Sequence, residues 1–431
     1  MTSIASRLRD GASNVGFVQV RQVVDRVRHR LSFVPMLYVT AAIVGSLTLL
    51  WIDGNLSGQD LPEVLKTTVP SARSVFAAIA GGLITSVTLL LSMMLVAVQL
   101  ASSQFSPRSL RGWLGSSTVQ HSVGLALGTT VFSLLALRST RDFGEDGDAV
   151  IPHLSVLVAV ALGVASLVAV VRTVDHVTDS LRVGSVIHRV ATETVGVVTK
   201  GRRRGGAATT DVGGAAGSTH HPGGSTPVEA PTCGWVQQID EQAILDAIPD
   251  GSTAWIGVPL GAFAPRHVPL MWVHPPLADD GTAHRLAKSI ALGDTRTMQQ
   301  DVGFGLVQLT DIAVRALSPG VNDPTTASDV IARLGDVLLG MWEVGSDAPT
   351  RTENDRTIVR ATVSHGEHLD RIVQSLCRYG NGDQEVMATL EDMLRTVRAE
   401  VLRRGLPGPL EPLDEALSMV QVEMNRTQRT T

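Results

Sequence analysis

Ser74–Pro107 reads SVFAAIAGGLITSVTLLLSMMLVAVQLASSQFSP, 34 consecutive residues without a charged side chain. A helix needs about 20 apolar residues to cross the hydrocarbon core of a bilayer. As one straight helix this stretch would approach 50 Å at about 1.5 Å per residue, so it must tilt or project from the membrane. Three further uncharged stretches are long enough to cross: Leu31–Ile52, Gly112–Leu137 and Ala149–Val171. The crossing segments are placed at 31–52, 76–101, 117–137 and 151–171, inside a transmembrane region that extends as helix to residue 200. The chain thus reads as a membrane protein: four transmembrane α-helices followed by a cytoplasmic α+β domain.

Composition agrees. Of 431 residues only 18% are charged, and mean hydropathy is +0.18. That charge content falls below the roughly 25% of soluble proteins. A net charge of −5 excludes a broadly basic nucleic-acid binder. Two cysteines, Cys233 and Cys377, fit neither a disulfide framework nor a thiolate metal cage. No cofactor and no metal site are expected.

Loop charges set the orientation. Six arginines precede the first span, Arg108 and Arg111 separate the second from the third, and seven Lys/Arg follow the fourth up to Arg204. The two remaining loops are net acidic, with Asp53, Asp60 and Glu63 in one and Asp142, Glu145, Asp146 and Asp148 in the other. The positive-inside rule puts both termini in the cytoplasm, as in a multi-pass protein of the bacterial inner membrane. Within residues 1–30, Val20, Val23, Val24 and Val27 recur at helical spacing with arginines between them, which suits an amphipathic segment on the inner leaflet or a helix packed on the cytoplasmic domain.

Residues 201–232 are rich in Gly, Ser, Thr and Pro and read as a flexible linker. Beyond it a small strand-rich module is expected over 233–278, with strands at Gly234–Ile239, Thr253–Val258 and His267–Val273 and a short helix at Glu241–Ala247. Residues 279–427 read as mainly helical, with one more strand at Thr357–Val363.

Two sets of residues are candidates for function. On the second span Ala78, Gly81, Thr85, Thr88, Ser92, Gln99 and Ser103 share one side of a helical wheel. In the stretch LGDTRTMQQDVGFGLVQLTDIAVRALSPGVNDPTTA (Leu292–Ala327), Arg296, Gln300, Asp301, Asn322 and Asp323 can surround a small polar ligand. The alternative for the second set is a helix–turn–helix whose polar residues are caps and ion pairs, with Asp323 capping a helix that starts at Pro324. No nucleophile–base set or metal-ligand spacing emerges, so no enzyme is expected.

The runs QLASSQFSPR (Gln99–Arg108), LGTTVFSLLALR (Leu127–Arg138), IPHLSV (Ile151–Val156), GWVQQID (Gly234–Asp240) and RALSPGVNDPTTA (Arg315–Ala327) resemble bacterial predicted membrane proteins with domain of unknown function 2254. The resemblance implies an integral membrane protein with a helical N-terminal region and a soluble C-terminal region. It carries no activity and no catalytic residues. The long linker departs from the family's pattern.

Two functional readings stay open. Small residues let helices approach closely, as Gly124 and Gly128 do in a GxxxG pair, and the protein then anchors a sensory or scaffolding domain. Alternatively, the polar face of the second span lines an uncharged path in a homo-oligomeric channel-like assembly. The spans hold no Asp, Glu, Lys or Arg, which disfavours a coupled transporter.

Overall fold

A computed structural model of the chain describes residues 32–55, 68–104, 117–140, 153–180, 182–204, 221–345 and 350–428. The amphipathic N-terminal segment, most of the charged loop residues and linker residues 205–220 lie outside them. The chain divides into two compact units that meet between Arg182 and Val183.

The membrane unit contains α1 (Phe33–Asn55), α2 (Val69–Gln104), α3 (Ser117–Ser139) and α4 (His153–Ser180). All four are long and apolar enough to cross a bilayer. α3 is the central helix: 56% of its apolar window is buried, against 11%, 22% and 17% in α1, α2 and α4. Its sequence explains this. It is the least hydropathic of the four and supplies Gly, Ser and Thr on every side. A Cβ at Gly124 would fall 2.7 Å from the Tyr38 ring, and one at Gly128 would fall 3.1 Å from the Tyr38 carbonyl. The GxxxG pair therefore seats α1 directly on α3. The Tyr38 hydroxyl also reaches His121 Nδ1 at 3.1 Å.

Toward α4 the seam is small and hydroxylic. The fully buried residues of α4 are Ser155, Ala159, Ser166 and Thr173. The hydroxyls of Thr129 and Ser166 lie 3.0 Å apart, and Ser122 and Thr173 both donate to the Ala169 carbonyl. Large apolar side chains point the other way: Leu47, Leu89, Leu95 and Val164 are each 60–62% exposed. Small and polar inside, large and apolar outside is the arrangement expected where hydrocarbon replaces water as solvent.

One end of this bundle is closed by two charged residues. Asp53, 8% exposed, accepts hydrogen bonds from the N–H groups of Leu154 and Ser155 and from the Ser155 hydroxyl, at 3.0, 3.1 and 2.6 Å. It thus satisfies donors that the first turn of α4 leaves unpaired. Arg73 donates from Nε and Nη2 to the Thr140 carbonyl just past α3, at 3.3 and 2.9 Å. Each charge also opposes the sign of the helix end it meets.

The second unit starts with α5 (Val183–Arg204), whose apolar stripe of Val186, Ile187, Val190, Ala191, Val197 and Val198 is buried. The sequence reading took these residues as a helical extension beyond the fourth span, and their stripe packs on other helices of the same unit.

Eight strands form two sheets among the described residues. Strands β1 (Thr226–Glu229), β3 (Thr253–Ile256), β5 (Pro269–His274), β7 (Thr350–Glu353) and β8 (Arg356–Arg360) pair in the order β1-β5-β3-β8-β7. Strands β2 (Gly234–Ile239), β4 (Phe263–Ala264) and β6 (Ile290–Gly293) pair in the order β4-β2-β6. Together with α6 (Glu241–Ala247) and α7 (Asp280–Lys288) they enclose a core that includes Val228, Val236, Ile244, Ile256, Met271, Leu286 and Ile358. The remaining helices are α8 (Val302–Ala316), α9 (Pro324–Val344), α10 (His365–Gly380), α11 (Gln384–Arg404) and α12 (Glu411–Gln428).

Three boundaries differ from expectation. The linker is shorter at both ends: α5 runs to Arg204, and β1 lies inside 201–232 with Val228 1% exposed. β6 falls in a region read as helical. The strand-rich module reaches from 226 to 360 because β8 returns to pair parallel with β3, Thr253 opposite Thr357. Such long-range pairing leaves little trace in local propensity.

Replacing Gly128 by Leu should force α1 off α3 and cost about 1–3 kcal/mol or prevent assembly of the bundle. Thermal unfolding in detergent should show a lowered midpoint, with Gly82→Leu, where a Cβ meets nothing within 4 Å, as the tolerated control.

Candidate functional site

In the second unit the loop from Asp294 to Asp301, between β6 and α8, gathers a cluster of polar side chains. Glutamine amides zip it to β2. Gln237 Nε2 donates to the Thr295 carbonyl at 2.7 Å, Gln238 bonds to Gln299, and Gln300 Oε1 accepts from the Ile239 N–H at 2.9 Å. Within the loop, Arg296 grips Asp301 Oδ2 through Nε and Nη2, at 3.0 and 2.7 Å. Asp301 is the N-cap of α8, its Oδ1 accepting from the Phe304 N–H at 3.0 Å.

This pair explains two glycines. Gly261 sits at φ +74, and a Cβ there would fall 2.1 Å from Asp301 Oδ2 and 2.5 Å from Arg296 Nη2. Gly303 keeps its neighbour His368 close, since a Cβ would lie 2.6 Å from the imidazole Cε1. His368 is thereby brought from α10 to the first turn of α8. Burial above all, then the positive charge of Arg371, pushes its imidazole down to about 4, with Arg296 contributing in the same direction.

The ligand set named from the sequence does not form one site. Arg296 and Asp301 meet each other, while Gln300 turns to β2. Asn322 and Asp323 lie past the other end of α8, about 22 Å of helix away. There Asp323 caps α9: the Thr326 N–H and hydroxyl donate to it at 3.0 and 2.6 Å, and these bonds hold its carboxyl below the usual carboxylate range. Asn322 is exposed, at φ +48. The anion that the start of α8 would attract is the chain's own Asp301 carboxylate.

The polar face of α2 points away from the rest of its own bundle. Ala78, Gly81, Thr85, Thr88, Ser92 and Gln99 are all exposed, while α2 packs through Ala72, Phe76, Ala80, Leu83, Val87, Leu90 and Met94. The seam of this bundle is therefore not the polar stripe. The hydroxyls of Thr85, Thr88 and Ser92 each donate to the carbonyl four residues back, at 3.0, 2.9 and 2.9 Å. Such bonds satisfy them without any partner across the face. Gln99 comes 26 residues after Arg73. That is about 39 Å of helix against about 30 Å of hydrocarbon, so both groups reach headgroup level together. Ser103 is in the last turn of α2, its side chain outside the described residues.

The sequence profile of the predicted membrane proteins with domain of unknown function 2254 matches residues 28–396. The chain belongs to this family. Uncharacterized proteins of Mycobacterium tuberculosis and Mycobacterium bovis are 28% identical over 338 residues, covering 77% of the chain and 64% of each relative. The chain thus spans less than two thirds of the length of these relatives. No solved structure gives a significant match.

The family-like runs acquire physical roles in the fold. LGTTVFSLLALR lies in central α3; His153–Val156 opens α4 beneath Asp53; GWVQQID is β2 with its glutamine zip; RALSPGVNDPTTA joins α8 to α9 through the Asp323 cap. Sequence reading missed Gly261 and His368, which reach the Arg296 loop from distant segments and carry no local signal, and the buried Met298 within the loop itself. A shallow cleft elsewhere, about 260 Å³, is lined by Glu229, His267, Asp280 and His284. Its Glu229–His267 pair at 3.3 Å is exposed and contributes little. Among the described residues no three His, Cys, Asp or Glu side chains are grouped to hold a metal ion.

Two outcomes follow. Arg296→Ala strands the Asp301 carboxylate, which is only 5% exposed, and should cost about 3 kcal/mol. Asp323→Ala removes one cap and should cost about 1 kcal/mol; urea midpoints of the two variants rank them. His368 binds its proton less readily folded than unfolded, where histidine titrates near 6.5. The stability gained from its neutral ring is complete above about pH 6.5 and lost as pH falls toward 4. Stability against denaturant measured across that window should fall with acid in the wild type and less steeply in His368→Gln.

Proposed function

We propose that the protein anchors a sensory or scaffolding domain at the inner face of the bacterial cytoplasmic membrane, with both termini cytoplasmic. One observation carries the reading. Two residues of chain separate the end of α4 from α5, the helix that opens the second unit, and the buried face of α5 is part of that unit's core. A domain whose core includes a helix joined to a span by so short a stretch of chain is kept near the membrane. The polar side chains of the Arg296 loop engage one another, which favours a role in binding and positioning over chemistry. Copies of the chain are proposed to assemble through the outward polar face of α2.

That face also sustains the channel-like alternative, because a path between copies requires polar groups on the outside of each bundle. Thr88→Leu and Ser92→Leu separate the two. An assembled protein that loses solute flux in vesicles supports the channel. An assembly that falls apart supports a packing face, and flux-free protein in both forms supports the anchor.

Orientation is read in a chain with Cys233→Ser and Cys377→Ala. Single cysteines at Gly58 or Gly147 should react with an impermeant maleimide in intact cells, and those at Gly115 or Gly224 only after lysis. The reverse pattern would overturn the cytoplasmic placement.

A further inference from the structure

α2 outruns the bundle it belongs to. Arg73 meets the Thr140 carbonyl just past α3, and Leu90 and Met94 pack with Val119 and Val123 near the start of α3. Val177 of α4 joins that cluster, and two residues before it stands the exposed carboxylate of Asp175. A carboxylate on a lipid-facing surface lies outside the hydrocarbon, which therefore ends by the level of Met94. α2 runs on to Gln104, about 15 Å further. This overhang begins with Leu95 and Val96, each 62% exposed. An apolar surface beyond the hydrocarbon gains free energy by being covered.

The outward side of α2 supplies the geometry of the cover. Ala78, Gly81, Thr85, Thr88, Ser92, Leu95 and Gln99 follow one another at alternating steps of three and four residues, and all are exposed. That is an unbroken a/d heptad, with Ala78, Thr85, Ser92 and Gln99 at a and Gly81, Thr88 and Leu95 at d. The residues that pack on the chain's own bundle, Ala80, Leu83, Val87, Leu90, Met94 and Ala97, fall at c and f, on the opposite side. Within the hydrocarbon the seam is small, and its hydroxyls are already bonded to their own helix, so a second helix can approach closely. A Cβ at Gly81 meets nothing within 4 Å. Past the hydrocarbon the seam ends in Leu95 and the amide of Gln99.

We propose that a second copy of the chain covers this face: two α2 helices pair in parallel from Ala78 to Gln99, about a two-fold axis normal to the membrane. This pairing deepens the reading that copies assemble through α2, and rests on it. Three features select a second copy. A strict heptad is the period at which two like helices supercoil and keep one seam in contact. Copies inserted under the same charge rule share one orientation, so their α2 helices run parallel and each seam residue meets its own counterpart. The seam holds no charged side chain to repel that counterpart, and a polar residue at an a position, here Gln99, sets register and the two-stranded state.

The test uses the full chain with Cys233→Ser and Cys377→Ala, reconstituted in phosphatidylcholine vesicles. Single cysteines are placed on the seam at Thr88, Ser92 and Leu95, and off it at Ser86 and Met93, which lie at similar depths. A disulfide needs Cα atoms within about 7 Å, so oxidation should link the three seam cysteines into dimers about tenfold faster than the other two. Leu95→Lys sets like charges opposite each other and should abolish the dimer, whereas Met93→Lys should keep it. Should the lysine variants fail to fold, the cysteine profile decides alone. Wild-type protein that bleaches in single steps in vesicles is a single copy, which overturns the assembly reading together with the seam. Multi-copy protein whose Ser86 and Met93 cysteines link as fast as those on the seam, or whose Leu95→Lys variant stays dimeric, overturns the seam alone. The face is then covered by lipid or by another part of the chain.

Discussion

Hydrocarbon offers a polar group no partner, and this constraint organises the membrane half of the molecule. On the outward face of α2 the hydroxyls of Thr85, Thr88 and Ser92 are returned to their own helix. Between α3 and α4 the hydroxyls of Thr129 and Ser166 meet each other and those of Ser122 and Thr173 meet a backbone carbonyl, while Ser46 Oγ on α1 and Ser133 Oγ on α3 are buried without a hydrogen-bond partner. The charges of Asp53 and Arg73 are placed at helix ends, where unpaired N–H and C=O groups await them. With no hydrophobic drive between helices in lipid, close approach must come from small residues, and the Gly124–Gly128 pair against Tyr38 supplies it.

The second unit follows the opposite rule, with its large apolar side chains inside, and α5 shows the change. Its buried stripe of Val, Ile and Ala would be unremarkable in a water-soluble bundle, and it begins within two residues of a helix whose leucines and valines face outward. The fold of this half depends on contacts made over long separations: β8 on β3, the glutamines of β2 on the loop before α8, and α10 bringing His368 to Gly303. The Arg296–Asp301 pair stands between a positive-φ glycine, Gly261, and the N-terminus of α8.

Much of this was legible in the sequence, for physical reasons that differ by part. Four uncharged runs of sufficient length announce four spans, because composition alone decides partition into hydrocarbon. The short helix Glu241–Ala247 and the strand Gly234–Ile239 announce themselves through local periodicity, and Asp323 before Pro324 through cap chemistry. The inner and outer faces of α2 were not legible. In water a polar stripe points to solvent, but in lipid a stripe of Ser and Thr can satisfy itself on the helix and face either way. The helix–turn–helix with its caps and ion pair was legible around Asp301 and Asp323, and that intervening helix is why Arg296 and Asp301 do not share a ligand site with Asn322 and Asp323. β1 was hidden because Thr226–Glu229 sits in a Gly- and Pro-rich context and is a strand only by virtue of β5 beside it.

The central claim is that the bundle is built inside out, with lipid as its solvent. Site-directed nitroxide labelling tests it most directly, in the full chain reconstituted in vesicles, with labels placed singly at Leu89, Val164 and Leu167. The account predicts that all three are relaxed strongly by oxygen, which concentrates in hydrocarbon, and weakly by a polar nickel chelate. Strong relaxation by the nickel chelate at Leu89, Val164 and Leu167 would place those faces in water and contradict it.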